Sequence, residues 1–339
     1  MTEPIMSITF NKKSIIKYVA GMIFLIFTIS AAILWIIAGQ IVSPDRRSIQ
    51  DYHRDWINHP AAHGIRIDTG QCDKGRAPCL FVAPDPTLTP GKRGDTLRKQ
   101  LVSEGIPLKP YGQTTGILLL LHGRNGRKED LLPVAERFAA AGFKCVMPDL
   151  PAHGDSPIAQ VFFSTTRFEQ DIADNVLNDA RDFFADKNSP AGIWGLSMGG
   201  AFAINEVARS PSHWKAVVIV SSFDSLDGVV QDKLSALPYP LSKFIGHVFS
   251  TMVRYRSGLD LSEVQPAIWA KSITIPVLMA HGDVDPLISP NRGRNLFNAI
   301  QSQNKQWVNV PGGNHNNILV TDMPLYAVMS AWFITHTKT

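Results

Sequence analysis

From Gly116 onward the chain alternates short, almost wholly apolar runs with longer segments whose apolar residues recur at helical spacing. That alternation leaves few folds open. The runs predicted as strands are Ile117–His122, Phe143–Asp149, Ala191–Gly195, Ala216–Ser221, Ile275–Ala280 and Gln306–Val310. Helices are predicted near Lys128–Ala141, Arg167–Asp186, Met198–Ser210, Asn291–Gln301 and Asp322–His336. Strands this uniformly apolar need cover on both faces, so the pattern predicts an α/β fold with a mainly parallel sheet between two helical layers. One stretch interrupts it: Ser222 to Lys271 is about 50 residues between consecutive strands, too long for a simple crossover.

The apolar fraction of 45% over 339 residues fills a real core, and 18% charged residues argue against a disordered chain. A formal charge of +4, scattered along the chain, gives no basic patch for nucleic acid. From Tyr18 to Ser43 no residue is charged. Its apolar part, about 24 residues at about 1.5 Å each, covers the ~30 Å hydrocarbon core of a bilayer. It reads as one transmembrane helix, against the alternatives of a cleaved signal peptide and a buried core helix; it is longer than a signal's apolar region and no A-x-A site closes it. Lys12, Lys13 and Lys17 before it balance Arg46, Arg47 and Arg54 after it, so charge counting does not orient it. The expected organisation is a tail over 1–17, an anchor over 18–41, a stalk and hairpin region over 42–115, and the α/β core over 116–339 with an insertion at 222–271.

Cys72 and Cys79 bracket a turn-like sequence between the strand-like runs Ile65–Asp68 and Leu80–Ala83. A disulfide across such a hairpin would place the domain outside the cytoplasm; two free thiols are the alternative. Cys145, in an apolar run, reads as a packing residue.

The chemistry centres on Gly195-Leu196-Ser197-Met198-Gly199, set between an apolar strand and a small-residue helix. In that context G-x-S-x-G forms a strained elbow that lifts the serine hydroxyl to the carboxyl end of the sheet, with glycines where flanking side chains would collide. Ligands in such sheets gather beyond the strand carboxyl ends. Three further turns lie there: His122-Gly123-Arg124-Asn125-Gly126, His281-Gly282-Asp283-Val284-Asp285-Pro286 and Pro311-Gly312-Gly313-Asn314-His315-Asn316.

With these four motifs in the order Ser, Asp, His, residues 115–337 resemble the α/β-hydrolase superfamily, and within it the membrane-anchored and monoacylglycerol-lipase-like serine hydrolases. The resemblance implies an α/β-hydrolase fold with a helical cap at 222–271. It implies Ser197 as nucleophile, His315 as general base and Asp285 as the triad acid, with Asp283 the competitor. The backbone N–H groups of Met198 and Arg124 become the oxyanion donors. The implied reaction is hydrolysis of a small-molecule or lipid ester with an apolar acyl chain; an amidase or peptidase with the same triad, and a catalytically silent membrane binding protein, are the alternatives. No metal-ligand spacing occurs, and no metal or cofactor is expected. His122 and His281 read as structural, and His153 as bracing its own turn. The expected placement is a single-pass membrane protein with an extracytoplasmic catalytic domain.

Overall fold

The computed structural model describes residues 12–320 and 325–337. The predicted tail up to residue 11, the start of the last helix at Asp322 and residues 338–339 lie outside the described residues.

Eight strands form a single sheet: β1 (Ile65–Cys72), β2 (Ala77–Pro84), β3 (Gly116–Leu121), β4 (Phe143–Pro148), β5 (Ala191–Leu196), β6 (Ala216–Val220), β7 (Val277–Gly282) and β8 (Lys305–Val310). Their spatial order is β1-β2-β4-β3-β5-β6-β7-β8. From β4 to β8 all neighbours are parallel, while β1–β2 and β2–β4 are antiparallel. The helices are α1 (Lys12–Val42), α2 (Asp51–Asn58), α3 (Lys92–Ser103), α4 (Leu132–Ala140), α5 (Arg167–Gln170), α6 (Ile172–Phe183), α7 (Met198–Arg209), α8 (Leu226–Lys233), α9 (Tyr239–Ser257), α10 (Pro266–Trp269), α11 (Pro290–Ala299) and α12 (Leu325–His336).

The two-sided burial read from the apolar runs is realised residue by residue. In β3, Ile117, Leu119 and Leu121 face the core formed with α6 and α7, whereas Leu118 and Leu120 face the one formed with α4 and α12. All six β3 residues are buried. The predicted strand from Ile275 starts two residues later at Val277, because Pro276 has no N–H to give to a ladder. The predicted helix Arg167–Asp186 divides at Asp171 into α5 and α6.

The hairpin extends the core sheet, where the sequence suggested a region apart from it. β2 is buried along its whole length and pairs with β4 through Cys79↔Pro148 to Val82↔Cys145. The supposed stalk is structured too, with α2 at Asp51–Asn58 and its Trp56 buried. Cys72 and Cys79 are joined by a disulfide with Cα atoms 5.9 Å apart. Cys145 is buried, and burial pushes its thiol far above the ordinary range, as expected of a packing residue.

α1 is long and apolar enough, over Ile15–Val42, to cross a membrane by length and composition. Its N-terminal half is exposed, whereas Ala38 and Val42 are buried in the core cluster that also holds Phe163 and Val161. The insertion at 222–271 folds as α8, α9 and α10 joined by short turns, and sits over the carboxyl end of the sheet.

Candidate active site

Ser197 stands between β5 and α7 with φ 54° and ψ −114°, a conformation that costs a residue with a Cβ about 1–3 kcal/mol. The surrounding backbone holds it there. The Ser197 N–H donates to the Val220 carbonyl at 2.8 Å, and the Gly200 N–H donates to the Ser197 carbonyl at 2.9 Å. The Ser222 hydroxyl donates to that same carbonyl at 2.9 Å. Both motif glycines are required by close approach. A Cβ on Gly195 would lie 2.3 Å from the Gly199 carbonyl oxygen, and one on Gly199 would lie 2.2 Å from that of Leu121. The Met198 N–H, the first of α7, has no acceptor within the helix, whereas those of Gly200 and Ala201 donate to the Ser197 carbonyl.

The turn after β3 runs beside the serine. A Cβ on Gly123 would come within 3.5 Å of Ser197 Cβ, which puts the following residue, Arg124, at the edge of the same space. A charge cluster centred on the buried Lys128 and Asp149, with the exposed Asp155 at its edge, braces this turn. Lys128 Nζ lies 2.7 Å from Asp149 Oδ2 and 2.6 Å from Asp155 Oδ2, and the Lys128 N–H donates to Asp149 Oδ1 at 2.8 Å. Such a cluster, fully paired, ties the turns after β3 and β4 together.

Asp285 and His315 come from the turns after β7 and β8. His315 Nδ1 lies 2.8 Å from Asp285 Oδ2, while Asp285 Oδ1 accepts the N–H groups of Leu287 and Ile288, each at 2.9 Å. Burial pushes the Asp285 carboxyl up, but the His315 bond and charge, with the two peptide N–H groups, outweigh it and hold the pKa below the ordinary value. An ionised carboxylate only accepts, so His315 Nδ1 carries the proton and Nε2 is left as the basic nitrogen. Asp283 is exposed and accepts the Gly312 N–H at 2.7 Å, so it shapes the turn and does not meet the imidazole. Ser197, Met198, Gly123, Arg124 and His315 all line one cavity of about 860 Å³. Among the described residues no hydrogen bond joins the Ser197 hydroxyl to the ring, a looseness common in sites without substrate.

The structural readings of the other histidines agree with the geometry. His122 Nδ1 lies 2.8 Å from the Gly123 carbonyl and its Nε2 accepts the Leu150 N–H at 3.0 Å; burial pushes its pKa down to about 4. His153 Nδ1 lies 2.8 Å from the Pro151 carbonyl, and burial, aided by His122, lowers its pKa to about 3. His281 Nε2 donates to the Ile288 carbonyl at 3.0 Å and so braces the turn that carries Asp285.

Two supports escaped the sequence reading. One is Ser222, whose hydroxyl clamps the strained serine. The other is Asn314, whose Oδ1 accepts the Asn316 and Asn317 N–H groups at 2.9 and 3.0 Å, folding the loop that presents His315. An Asn-His-Asn-Asn run is itself a turn signal.

Among the described residues, Asp174, Glu206 and His213 bring ligand-type atoms within 4.8 Å of one another. Their partners are protein groups: Ser210 Oγ donates to Asp174 Oδ2, His213 Nδ1 bonds Asp174 Oδ1, and Trp214 Nε1 donates to Glu206 Oε1. Burial, with the Asp174 charge beside it, pushes Glu206 up to about 8.

Comparison with known proteins agrees with this architecture. Residues 112–253 match the family model described as serine aminopeptidase, S33. Monoacylglycerol lipase of Mycolicibacterium smegmatis is 24% identical over 258 residues, 67% of this chain and 91% of that protein. Rat monoglyceride lipase is 23% identical over 249 residues, covering 64% and 80%. An esterase structure from Pyrococcus furiosus superposes with a TM-score of 0.59 at 15% identity, over 87% of this chain and 97% of that one. The structure of a candidate lipase from Acinetobacter baumannii superposes with a TM-score of 0.53 at 16% identity, over 86% of this chain and 98% of that one. The eight-stranded sheet, the elbow on β5 and these likenesses together show an α/β-hydrolase fold, and the chain resembles the lipases and esterases among the serine hydrolases of that superfamily.

Proposed function

We propose that the chain hydrolyses carboxylic esters bearing an apolar acyl chain, by a two-step acyl-enzyme route beside a membrane. The observation that carries the reading is the 2.8 Å bond from His315 to a buried Asp285, at a cavity that Ser197 also lines. In this reading His315 Nε2 takes the proton of the Ser197 hydroxyl as its oxygen attacks the ester carbonyl, then returns it to the departing alcohol. The second half repeats the exchange with water. The N–H groups of Met198 and Arg124 receive the charge on the carbonyl oxygen, and losing one such donor costs about 10²–10³ in rate. Cap side chains Leu226, Val230, Ile245 and Phe249 line the cavity and suit an acyl chain. The named lipases and esterases among the relatives favour the same chemistry.

The family description favours a second reading, an aminopeptidase. Such an enzyme needs a free acidic group to hold a substrate ammonium. The carboxylate lining the cavity, Asp130, is already bound by His53 at 2.9 Å, Arg47 at 3.2 Å and Tyr52 at 3.2 Å. Substrate profiling of the full-length chain in detergent separates the two: p-nitrophenyl esters of graded length are turned over, with a maximum at medium or long chains, and aminoacyl amides are not. Faster turnover of the amides would overturn the ester reading.

The disulfide favours a catalytic domain outside the cytoplasm, with α1 as the anchor. A membrane-impermeant maleimide applied to intact cells is expected to label Cys72 and Cys79 only after reductant. Labelling without reductant, or only after cell lysis, speaks against that side.

A further inference from the structure

The anchor does more than tether. Leu34, Ile37 and Ile41, on successive turns of one face of α1, line the same cavity as Ser197 and His315. Residues 34 and 41 are about 10 Å apart along a helix axis, so the wall they make runs up the last third of the apolar span. Below them Met22 to Phe27 are all more than half exposed, as a lipid-facing segment would be. The same helix thus passes from its exposed apolar segment into a lining of the active-site cavity without a charged residue, and the Thr28 hydroxyl between them is satisfied within the helix by the Phe24 carbonyl at 2.8 Å.

This end of α1 is seated rigidly. The Val161 N–H donates to the Val42 carbonyl at 2.8 Å, and Arg46 donates to the carbonyls of Gly154 and Ile158 at 3.2 and 2.9 Å. From the cap, Arg256 donates to the Trp35 carbonyl at 2.8 Å, passing so close to Gly39 that a Cβ there would lie 2.4 Å from its Cζ. Arg124, whose N–H is assigned to the oxyanion site, uses its side chain to bond the Gln40 carbonyl at 2.6 Å. Beside α1, the cap helix α9 turns Tyr239, Phe244 and Tyr255 outward, with Lys243 among them, the mixture of aromatic and basic groups suited to a bilayer surface.

We infer that the anchor helix is part of the substrate site: its face Leu34-Ile37-Ile41 walls the acyl channel, and the acyl chain of a lipid ester enters along it from the bilayer, between α1 and α9. This rests on the ester-hydrolase reading above for the identity of the ligand. A chain that slides along α1 never crosses water, which removes the desolvation step a soluble lipase must manage at its mouth.

Two experiments on the full-length chain in lipid nanodiscs test it. In the first, kcat/KM is measured for dodecanoyl and acetyl p-nitrophenyl esters. Leu34→Trp lowers the long-to-short ratio at least tenfold, while Ile36→Trp, on the exposed face, leaves it within twofold; equal ratios in both variants overturn the inference. The second needs neither turnover nor the Trp variant to fold. Ser197→Ala is irradiated with a long-chain monoester carrying a diazirine in its acyl tail, and adducts are mapped by mass spectrometry. Adducts on residues 34–41 that excess unlabelled ester competes away support the wall. Adducts confined to the lipid-exposed turns, or not competed, overturn it. Competed adducts in an enzyme whose wild type hydrolyses no ester would keep the wall and remove the hydrolase reading.

Discussion

Ser197→Ala is expected to reduce ester turnover to background, a loss of about 10⁶ in kcat, because nucleophile and base act as a unit and the remainder cannot form the acyl-enzyme. The fold is expected to survive. Every contact that holds residue 197, to Val220, Gly200 and Ser222, is made by its main chain, and alanine bears the same Cβ in the same strained backbone. A fluorophosphonate probe labels the wild type and not the variant, while the two melt within a few degrees of each other. Equal labelling of both proteins would falsify the assignment of the nucleophile.

The second large effect belongs to the carboxylate. Asp285→Asn should lower kcat by about 10⁴ with little change in KM, because a neutral amide no longer holds the His315 proton on Nδ1 or stabilises the imidazolium. Asp283→Asn is the matched control. Its exposed side chain accepts one N–H, from Gly312, and an amide oxygen does that equally well, so activity stays within a few-fold. Steady-state kinetics on the pair decide the matter; similar losses in both, or a larger loss at 283, would mean that the imidazole is oriented by something other than Asp285.

Much of this site is legible in the sequence because the physics is local. Gly195 and Gly199 are demanded by carbonyl groups 2.2–2.3 Å from where their Cβ atoms would be, and that demand leaves its trace as G-x-S-x-G. The strand runs are legible because burial on both sides permits only apolar residues. What the sequence hid is non-local. Nothing in Leu80–Val82 says that its partner is β4, some sixty residues later, so the hairpin read as an appendage and not as part of the sheet. Arg46 and Arg47 read as flanking charges of a membrane span, whereas the structure spends them on loop carbonyls and on Asp130. The apolar stretch itself showed its hydropathy but not its sidedness: Ile36 on the exposed face and Leu34 lining the cavity are chosen by the same hydrophobic criterion and look alike until the fold is known.

Ile117 to Leu121 is nearly homopolymeric, and a one-residue slip of this central strand would exchange one leucine for another on either side at almost no cost in packing. Alignment must come from outside the leucines. At the start of the strand Gly116 leaves no room for a side chain, since a Cβ there would stand 2.6 Å from the Pro190 carbonyl oxygen. This glycine acts as a detent on an otherwise featureless ribbon. The turn after β3 therefore owes its position to a residue without a side chain more than to the leucines that make up the strand.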